Sequence, residues 1–556
     1  MATVATRRRP WVAHYDEGVP ADVEIPDVPL DDLLRQAARR WPAAAALSLY
    51  GRRTTFAQLD QAVDRVARAL RGLGVEPGDV VSLHLPTTPA FVQAFYGVVR
   101  AGAIGLPMNP LYVPREIAEL FRLGRPRVSI ALDLVTPRVR AARAEAGLDG
   151  PVVTVGIAEQ LSRVKSLLYP LRARREGRWH PVAHAAATPH LARLVRDAAP
   201  GPFPSAAGPD DVAALQPTGG TTGTPKAAML THRNLVADTV QVAAWFSRAR
   251  PGDAILGALP YFHIYGLTVA MNLGVLLGQR QVLLPRPETS EMLDAISRER
   301  PRMFPAVPAM YQAISVDPRA SSLDLTSIDA CISGGAPLPA EVQRRFEEVT
   351  GGRVVEGYGL SEASPVTHCN PLYGDRRAGT IGVPFPSTDA MVVSLADGHE
   401  VEPGEEGELL VRGPQVMKGY YQNPQETANA LQDGWLRTGD MAVRDEDGYF
   451  RIVDRRKDVI IVGGINVWPR EVEEVLLEHP LIADAAVVGV PHVRLGEVPR
   501  AFVVPAPGAQ LTVEMVVAHC GANLAAHKVP RQVEFVDELP RSGVGKVLRR
   551  RLRAAE

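Results

Sequence analysis

Three consecutive segments near the start of the chain restrict its architecture. In FAQLDQAVDRVARALRGLG, Phe56, Leu59, Val63, Val66 and Leu70 recur at helical spacing, and Gly72 and Gly74 mark the end. DVVSLHL (Asp79 to Leu85) then reads as a strand. After PTTP, the run AFVQAFYGVVRAG reads as helix again. Helix and strand in alternation predict a sheet covered by helices, an α/β fold. A chain of 556 residues exceeds what one core holds, so at least two domains are expected.

The alternation is interrupted at 161–200 by a basic, less regular stretch, LSRVKSLLYPLRARREGRWHPVAH. After about residue 379 its character changes. GTIGVPFP, DGHEVEPGEEGELLVRGP and DEDGYFRIVD are short strand-like runs broken by Gly, Pro and Asp, which predicts a small β-rich subdomain. Beyond DRRKD (Asp454 to Asp458) the helix–strand alternation returns, and WPREVEEVLLEH places Pro469 early in a helix, where its missing N–H costs least. This last block reads as a separate small α+β domain.

The most pointed local feature is QPTGGTTGTPKAAMLTHRN, Gln216 to Asn234. Between Gly219 and Gly223 the backbone can turn sharply and bring N–H groups close to phosphate oxygens. Thr221, Thr222 and Thr224 add hydroxyl donors and Lys226 adds charge, with Gly220 in the same nucleotide-binding run and Thr218, just before it, a candidate catalytic residue. The pattern is not GxxxxGK[ST], because Pro225 precedes the lysine and Ala227 follows it. Taken alone, the loop is either a phosphate cradle or a Gly/Thr-rich surface turn.

The rest of the chain narrows the choice. TGGTTGTPKAAMLTHRN resembles the signature loop of the adenylate-forming superfamily, which includes acyl-CoA synthetases, firefly luciferase and the adenylation domains of peptide synthetases. Further matches fall in that family's order: LPYFHIYG (259–266), SGGAPLP (333–339), EGYGLSEASP (356–365), GELLVRGP (407–414), GWLRTGDMA (434–442), DRRKDVIIVGGINVWPREVE (454–473) and PRSGVGKVLRR (540–550). TGGTTG rather than TSGTTG, the opening RPWVAHYDEGVPADVEIPDVPLDDLL, and SLLYPLRARREG are most similar to bacterial long-chain fatty acyl-CoA ligases. One departure is Ala227, where the family usually has glycine. It costs backbone freedom but removes no donor.

The resemblance implies a large multi-layer α/β N-terminal domain, 1–456, for AMP and acyl substrate. It implies a hinge at 454–458 and a small mobile α+β C-terminal domain, 459–556. It also implies ATP and coenzyme A as substrates and Mg²⁺ as the metal. A carboxylate is a poor electrophile because its charge is delocalised, so the family first makes an acyl-adenylate, releasing pyrophosphate, and the thiol of coenzyme A then displaces AMP. Joining two anions needs positioning and charge neutralisation more than acid–base work.

Carried onto this sequence, the resemblance gives Glu362 as the Mg²⁺ ligand, with Ser361 where many members have threonine. Gly334, Gly335 and Ala336 would line the adenine and Tyr358 would stack on it, within the nucleotide-binding run Glu356, Gly357, Tyr358 and Gly359. Asp440 would accept from the ribose hydroxyls, and Arg455 would reach the ribose or phosphate. Lys546 would be the catalytic lysine of adenylation, able to neutralise carboxylate and α-phosphate together. His263 would sit by the carboxylate and acyl channel, with a packing histidine as the alternative. Gly463 and Gly464 would face coenzyme A, and Lys457 would be the hinge.

In the basic stretch 161–180, Leu161, Val164, Leu168 and Leu171 can share a helical face, with Arg163, Lys165, Arg172, Arg174 and Arg175 around it. Such a face could dock on anionic lipid where fatty acids partition. Pro170 interrupts it, and an ordinary basic surface insert is the alternative.

Composition excludes other classes. Lys+Arg at 61 against Asp+Glu at 62 leaves a net charge of -1, no footprint for nucleic acid as a main partner. Cys331, Cys369 and Cys520 are far apart and form neither a metal spacing nor a disulfide framework, which fits a cytoplasmic location with peripheral membrane contact as an addition. MATVATRRRPWVAHY has a basic cluster without the apolar run of a secretory signal, and no stretch is apolar enough to span a membrane. The leading reading is an ATP-dependent, AMP-forming medium- or long-chain fatty acid–CoA ligase. The alternatives are a fatty acyl-AMP ligase loading a carrier protein, an aryl-CoA ligase of the coumarate type, and a non-catalytic nucleotide-binding paralogue. The sequence leaves chain length and oligomeric state open.

Overall fold

The structure is a computed structural model that describes all residues except 1–8, 162–165, 167–173, 175–188, 219–224, 456–457, 463–464, 493, 542–544, 546 and 554–556. The chain divides into two compact units. One takes Val12–Asp389 and Arg412–Leu436. The other takes Ala390–Val411 and Arg437–Glu556 together with the N-terminal segment ending at Trp11.

The helix expected from the spacing of Phe56, Leu59, Val63, Val66 and Leu70 runs Phe56–Gly72 and buries all five side chains. Thr55 caps it through Gln58 N–H, with the Gln58 side chain returning to the Thr55 N–H, so two end donors are satisfied. The strand Val80–His84 and the helix Pro89–Arg100 follow, with Pro89 in the first helical turn.

Around this start the larger unit builds a seven-stranded sheet. Its order is Gly419–Tyr420, Lys226–Thr231, Val212–Thr218, Ile104–Pro107, Val80–His84, Val128–Leu132 and Val152–Val155. The five strands from Val212–Thr218 onward pair in parallel, and the two at the other edge are antiparallel. The central strands are buried along their length, as strands covered on both faces must be. A second sheet is ordered Arg52–Thr55, Ala45–Leu49, Arg280–Leu283, Ala254–Gly257. A third is ordered Ala330–Ser333, Arg353–Gly359, Val366–Cys369, Val383–Pro384. One apolar cluster joins the last two, with Leu256, Phe304, Tyr311, Ile328 and Phe346 among its members.

In the other unit the β-rich segment expected after residue 379 supplies the strands Asp389–Val393, Glu406–Arg412, Trp435–Arg444 and Phe450–Arg455. Beyond it lies the small α+β block. The long antiparallel pair Ile482–His492 and Gly496–Pro505 is flanked by Ile460–Val462 and Ile465–Val467, with Gln532–Phe535 added in parallel. Helix Pro469–Leu477 begins at Pro469 and buries Val472 and Leu476 against Val487 and Val503; Val516 and Cys520 of Val513–Asn523 complete that core. All three cysteines are buried and none is in a disulfide. Among the described residues no helix is long and apolar enough to cross a membrane. Most of the basic stretch 161–180 lies outside the described residues.

Candidate nucleotide and acyl-transfer site

The Gly/Thr-rich segment lies in sequence between two strands of one sheet. Strands Val212–Thr218 and Lys226–Thr231 pair antiparallel, with Thr218 opposite Lys226. Gly219, Gly220, Thr221, Thr222, Gly223 and Thr224 lie outside the described residues. Ala227 is buried within the second strand opposite Pro217, and its carbonyl accepts from Tyr421 N–H at 2.9 Å. A paired strand position needs none of glycine's conformational freedom, so alanine is tolerated there.

A single segment, Met417–Tyr421, joins this strand to Glu362. Met417 N–H donates to the Glu362 carbonyl at 2.8 Å, and Lys418 N–H to the Met229 carbonyl at 2.9 Å. Gly419 and Tyr420 then pair with Met229 and Ala228. From that strand the Tyr420 hydroxyl donates to Glu362 Oε1 at 2.8 Å. Burial, and then the neighbouring Glu362 and Glu426, push the phenol pKa up, so it remains a donor at neutral pH. The Lys226 ammonium lies 5.5 Å from the centre of the Tyr420 ring and forms an ion pair with Glu426. Glu426 sits in the first turn of helix Pro424–Ala430, whose cap Asn423 accepts from Glu426 N–H at 3.1 Å. Its hydrogen bond with Lys226 holds the Glu426 carboxyl below the usual range. Ser361 opens the single turn Ser361–Ala363 that carries Glu362.

The SGG segment follows strand Ala330–Ser333, which is parallel to Arg353–Gly359 with Ser333 opposite Glu356. The Tyr265 ring lies under Gly334, where a Cβ would come within 3.1 Å of it, and Gly335 has φ 81°. Both positions exclude larger residues. Ala336 follows them, half-buried. Glu356 is buried and accepts from Leu338 N–H at 3.1 Å, which fixes the far end of this turn. Gly357 pairs with Cys369 and Tyr358 with His368, and the Tyr358 ring meets His368 edge-on at 6.0 Å. At Gly359 a Cβ would lie 2.1 Å from the Pro365 carbonyl oxygen. His263 caps the short helix Ile264–Gly266, its Nδ1 accepting from Tyr265 N–H at 3.2 Å, so its proton resides on Nε2.

In the other unit Asp440 and Arg455 are cross-strand partners and form an ion pair of 3.2 Å. Asp440 is nearly buried, and Thr438 Oγ1 accepts from its N–H at 3.1 Å. Lys457, Gly463, Gly464 and Lys546 lie outside the described residues. Their flanks are well anchored. Asp454 accepts from Arg470 N–H at 2.8 Å, Asp458 pairs with Arg553 at 3.1 Å, and Arg541 forms an antiparallel bridge with Val547.

Reading the sequence alone missed Tyr420, Glu426 and Asp238. The first two lie in KGYYQNPQET, where Asn-Pro followed by an acid is a helix-start signal that could have located Glu426. Asp238 is fully buried in helix His232–Trp245 and accepts from Val366 N–H at 3.2 Å, directly behind the Ser361–Pro365 turn. Among the described residues its second oxygen, Oδ1, has no partner, and burial raises its pKa well above the usual carboxylate range.

With this geometry in hand, the family is clear: the chain belongs to the AMP-binding enzymes. The family's main domain matches residues 34–421, and its C-terminal domain matches 471–546. Among individual relatives, a long-chain-fatty-acid–CoA ligase of Bacillus subtilis (strain 168) is 42% identical over 554 residues, 98% of each chain. A feruloyl-CoA synthase of an Amycolatopsis species is 38% identical over 517 residues, 93% of this chain and 96% of its own. The ATP-bound crystal structure of MatB from Rhodopseudomonas palustris matches with a TM-score of 0.83 at 30% identity, covering 94% of this chain and 98% of that one.

Proposed function

We propose that the chain is an ATP-dependent fatty acid–CoA ligase for medium or long acyl chains. It joins the fatty acid carboxylate to the α-phosphate of ATP, releasing pyrophosphate. The thiol of coenzyme A then attacks the acyl carbonyl and expels AMP. The observation that carries this reading is the 42% identity to a long-chain-fatty-acid–CoA ligase over 98% of each chain, together with Lys226 and the Glu362 carboxylate held on neighbouring elements.

The roles assigned to single residues belong to the same proposal. The loop Gly219–Thr224 with Thr218 and Lys226 takes the phosphates. Gly334 to Ala336 and the run Glu356 to Gly359 take the adenine, with Tyr358 stacking on it. Asp440 and Arg455 take the ribose. Lys546 neutralises the approaching anions, His263 borders the acyl carboxylate, and Gly463 and Gly464 admit pantetheine. Lys457 serves as the hinge between 1–456 and 459–556.

Glu362 with Ser361 fits Mg²⁺ held mainly by phosphate oxygens, since one carboxylate and one hydroxyl suffice for that mode. Among the described residues no cluster of three acidic, His or Cys side chains forms an all-protein cage. Bound there, Mg²⁺ would neutralise charge on the leaving pyrophosphate. Tyr420, by donating to Glu362, fixes the orientation of that carboxylate.

A second reading, an aryl-CoA ligase, is favoured by the feruloyl-CoA synthase relative. A panel of saturated acids and cinnamic acids, with ATP, Mg²⁺ and coenzyme A, separates the two. On the fatty-acid reading, kcat/KM rises about fourfold per methylene until the pocket is filled. A sharp preference for planar aromatic acids, with long-chain acids inert, would replace it with the second reading.

A further inference from the structure

Lys226 is among the residues proposed to take the phosphates, but its ion-pair partner Glu426 has no part in the roles above. Lys226 is the first residue of the strand that follows the phosphate loop, and its side chain is only 12% exposed. Among the described residues its ion-pair partner is Glu426, 200 positions away in sequence. The pairing is held by backbone structure on both sides. Strand Gly419–Tyr420 is paired to the strand that starts at Lys226, and Thr427 Oγ1 accepts from Tyr420 N–H at 2.9 Å while donating to the Asn423 carbonyl at 2.9 Å. The helix that carries Glu426 is thereby tied to the strand that faces Lys226. One ammonium therefore stands among two carboxylates, Glu426 on it directly and Glu362 across the Tyr420 ring.

We propose that Glu426 is a positioning residue that tunes affinity for the triphosphate by competing with it for Lys226. The inference rests on the reading of the chain as an ATP-using ligase. A polyphosphate is a stronger partner for an ammonium than one carboxylate is, but it must take Lys226 from Glu426 and accept the carboxylate as a close like charge. The same competition weakens the hold on pyrophosphate, so Glu426 favours release of that product. An acid in the first turn of a helix also interacts favourably with the helix dipole, and that purely structural role makes a different forecast.

The test is Glu426→Gln, which keeps shape and removes charge, examined by direct titration with MgATP and by steady-state kinetics. Kd and KM for ATP should fall about two- to fivefold, the scale of one partly exposed ion pair. Inhibition by pyrophosphate should tighten by a similar factor, with KM for fatty acid and coenzyme A unchanged. Glu426→Asp should restore the original values. In a Lys226→Ala background the same substitution should have no effect on ATP affinity, because the two residues act as one unit. Unchanged or weaker ATP affinity in Glu426→Gln, with a lower melting temperature, would overturn the inference and leave the ligase reading intact. Failure of the unsubstituted chain to bind MgATP would overturn both.

Discussion

Two carboxylates at the Ser361–Pro365 turn, Glu362 within it and Asp238 bonded to the residue after it, are held in opposite ways. Glu362 is half-buried and receives a hydroxyl donor from Tyr420, an arrangement suited to a charged group. Asp238 is fully buried, with one oxygen on Val366 N–H and the other without a partner among the described residues, and burial raises its pKa. A carboxyl whose pKa is higher in the folded than in the unfolded chain binds more protons when folded. Its contribution to stability is therefore fully present at low pH and is lost as pH rises above the unfolded value of 3.8 toward the raised folded one. We expect Asp238→Asn to flatten this component, so that the variant gains melting temperature relative to the parent more at pH 8 than at pH 5. A difference between the two proteins that does not change with pH would rule this out. For Glu362→Gln we expect turnover to fall roughly a hundredfold or more, on the scale of one preorganised electrostatic contact. Excess Mg²⁺ should recover part of the loss, and near-normal activity at low Mg²⁺ would show that the residue is not a ligand.

The helices of the larger unit are fastened together by one charge. Arg100, at the end of Pro89–Arg100, is fully buried and pairs with Asp31 of Leu30–Arg40 at 3.0 Å and with Asp64 and Asp60 of Phe56–Gly72 at 2.7 and 2.6 Å. Removing it leaves Asp31 and Asp64 with only Arg35 as a cation among the described residues; Arg35 already pairs with Asp31 at 3.3 Å and lies 3.9 Å from Asp64, so the cost approaches the about 3–5 kcal/mol of breaking a buried pair. Arg100→Met should therefore lower the urea midpoint steeply, and a shift equivalent to under about 1 kcal/mol would mean that water or Arg35 takes over the role. This network also marks the limit of what could be read in advance. The helix Phe56–Gly72, the strand Val80–His84 and Pro89–Arg100 were legible because hydrophobic spacing and Pro and Gly signals are local. Pro469 at the start of its helix was legible for the same reason. Arg100 with its aspartates and Lys226 with Glu426 were not, because each depends on residues that the fold brings together from distant positions. In the sequence, Arg100 is simply a charge at the end of an apolar run. The motif residues Glu362, Asp440 and Lys226 could be named through resemblance, yet Tyr420, which orients Glu362, carries no signature of its own.

At the scale of the molecule, the chain contains only six lysines, although Lys and Arg together number 61. Three of the six, Lys226, Lys457 and Lys546, fall on positions where a compact ammonium or a hinge has been proposed, and Arg does not substitute for a point charge that must reach between two anions. If Lys546 and Gly464 serve different half-reactions, their defects should separate. Lys546→Ala should fail to make acyl-adenylate yet convert supplied acyl-AMP and coenzyme A into thioester. Gly464→Leu should make acyl-adenylate and transfer it slowly, because a side chain obstructs the pantetheine arm. Folded variants that lose both steps equally would refute that division of labour. This chain is expected to activate a fatty acid by adenylation before any thiol is involved, and exchange of labelled pyrophosphate into ATP measures that step alone. With hexadecanoate and Mg²⁺ but no coenzyme A, exchange should be readily detected, should vanish when the fatty acid is omitted, and should be abolished by Lys546→Ala. Absence of exchange with every acid tested, in protein that is folded and binds ATP, would contradict the account.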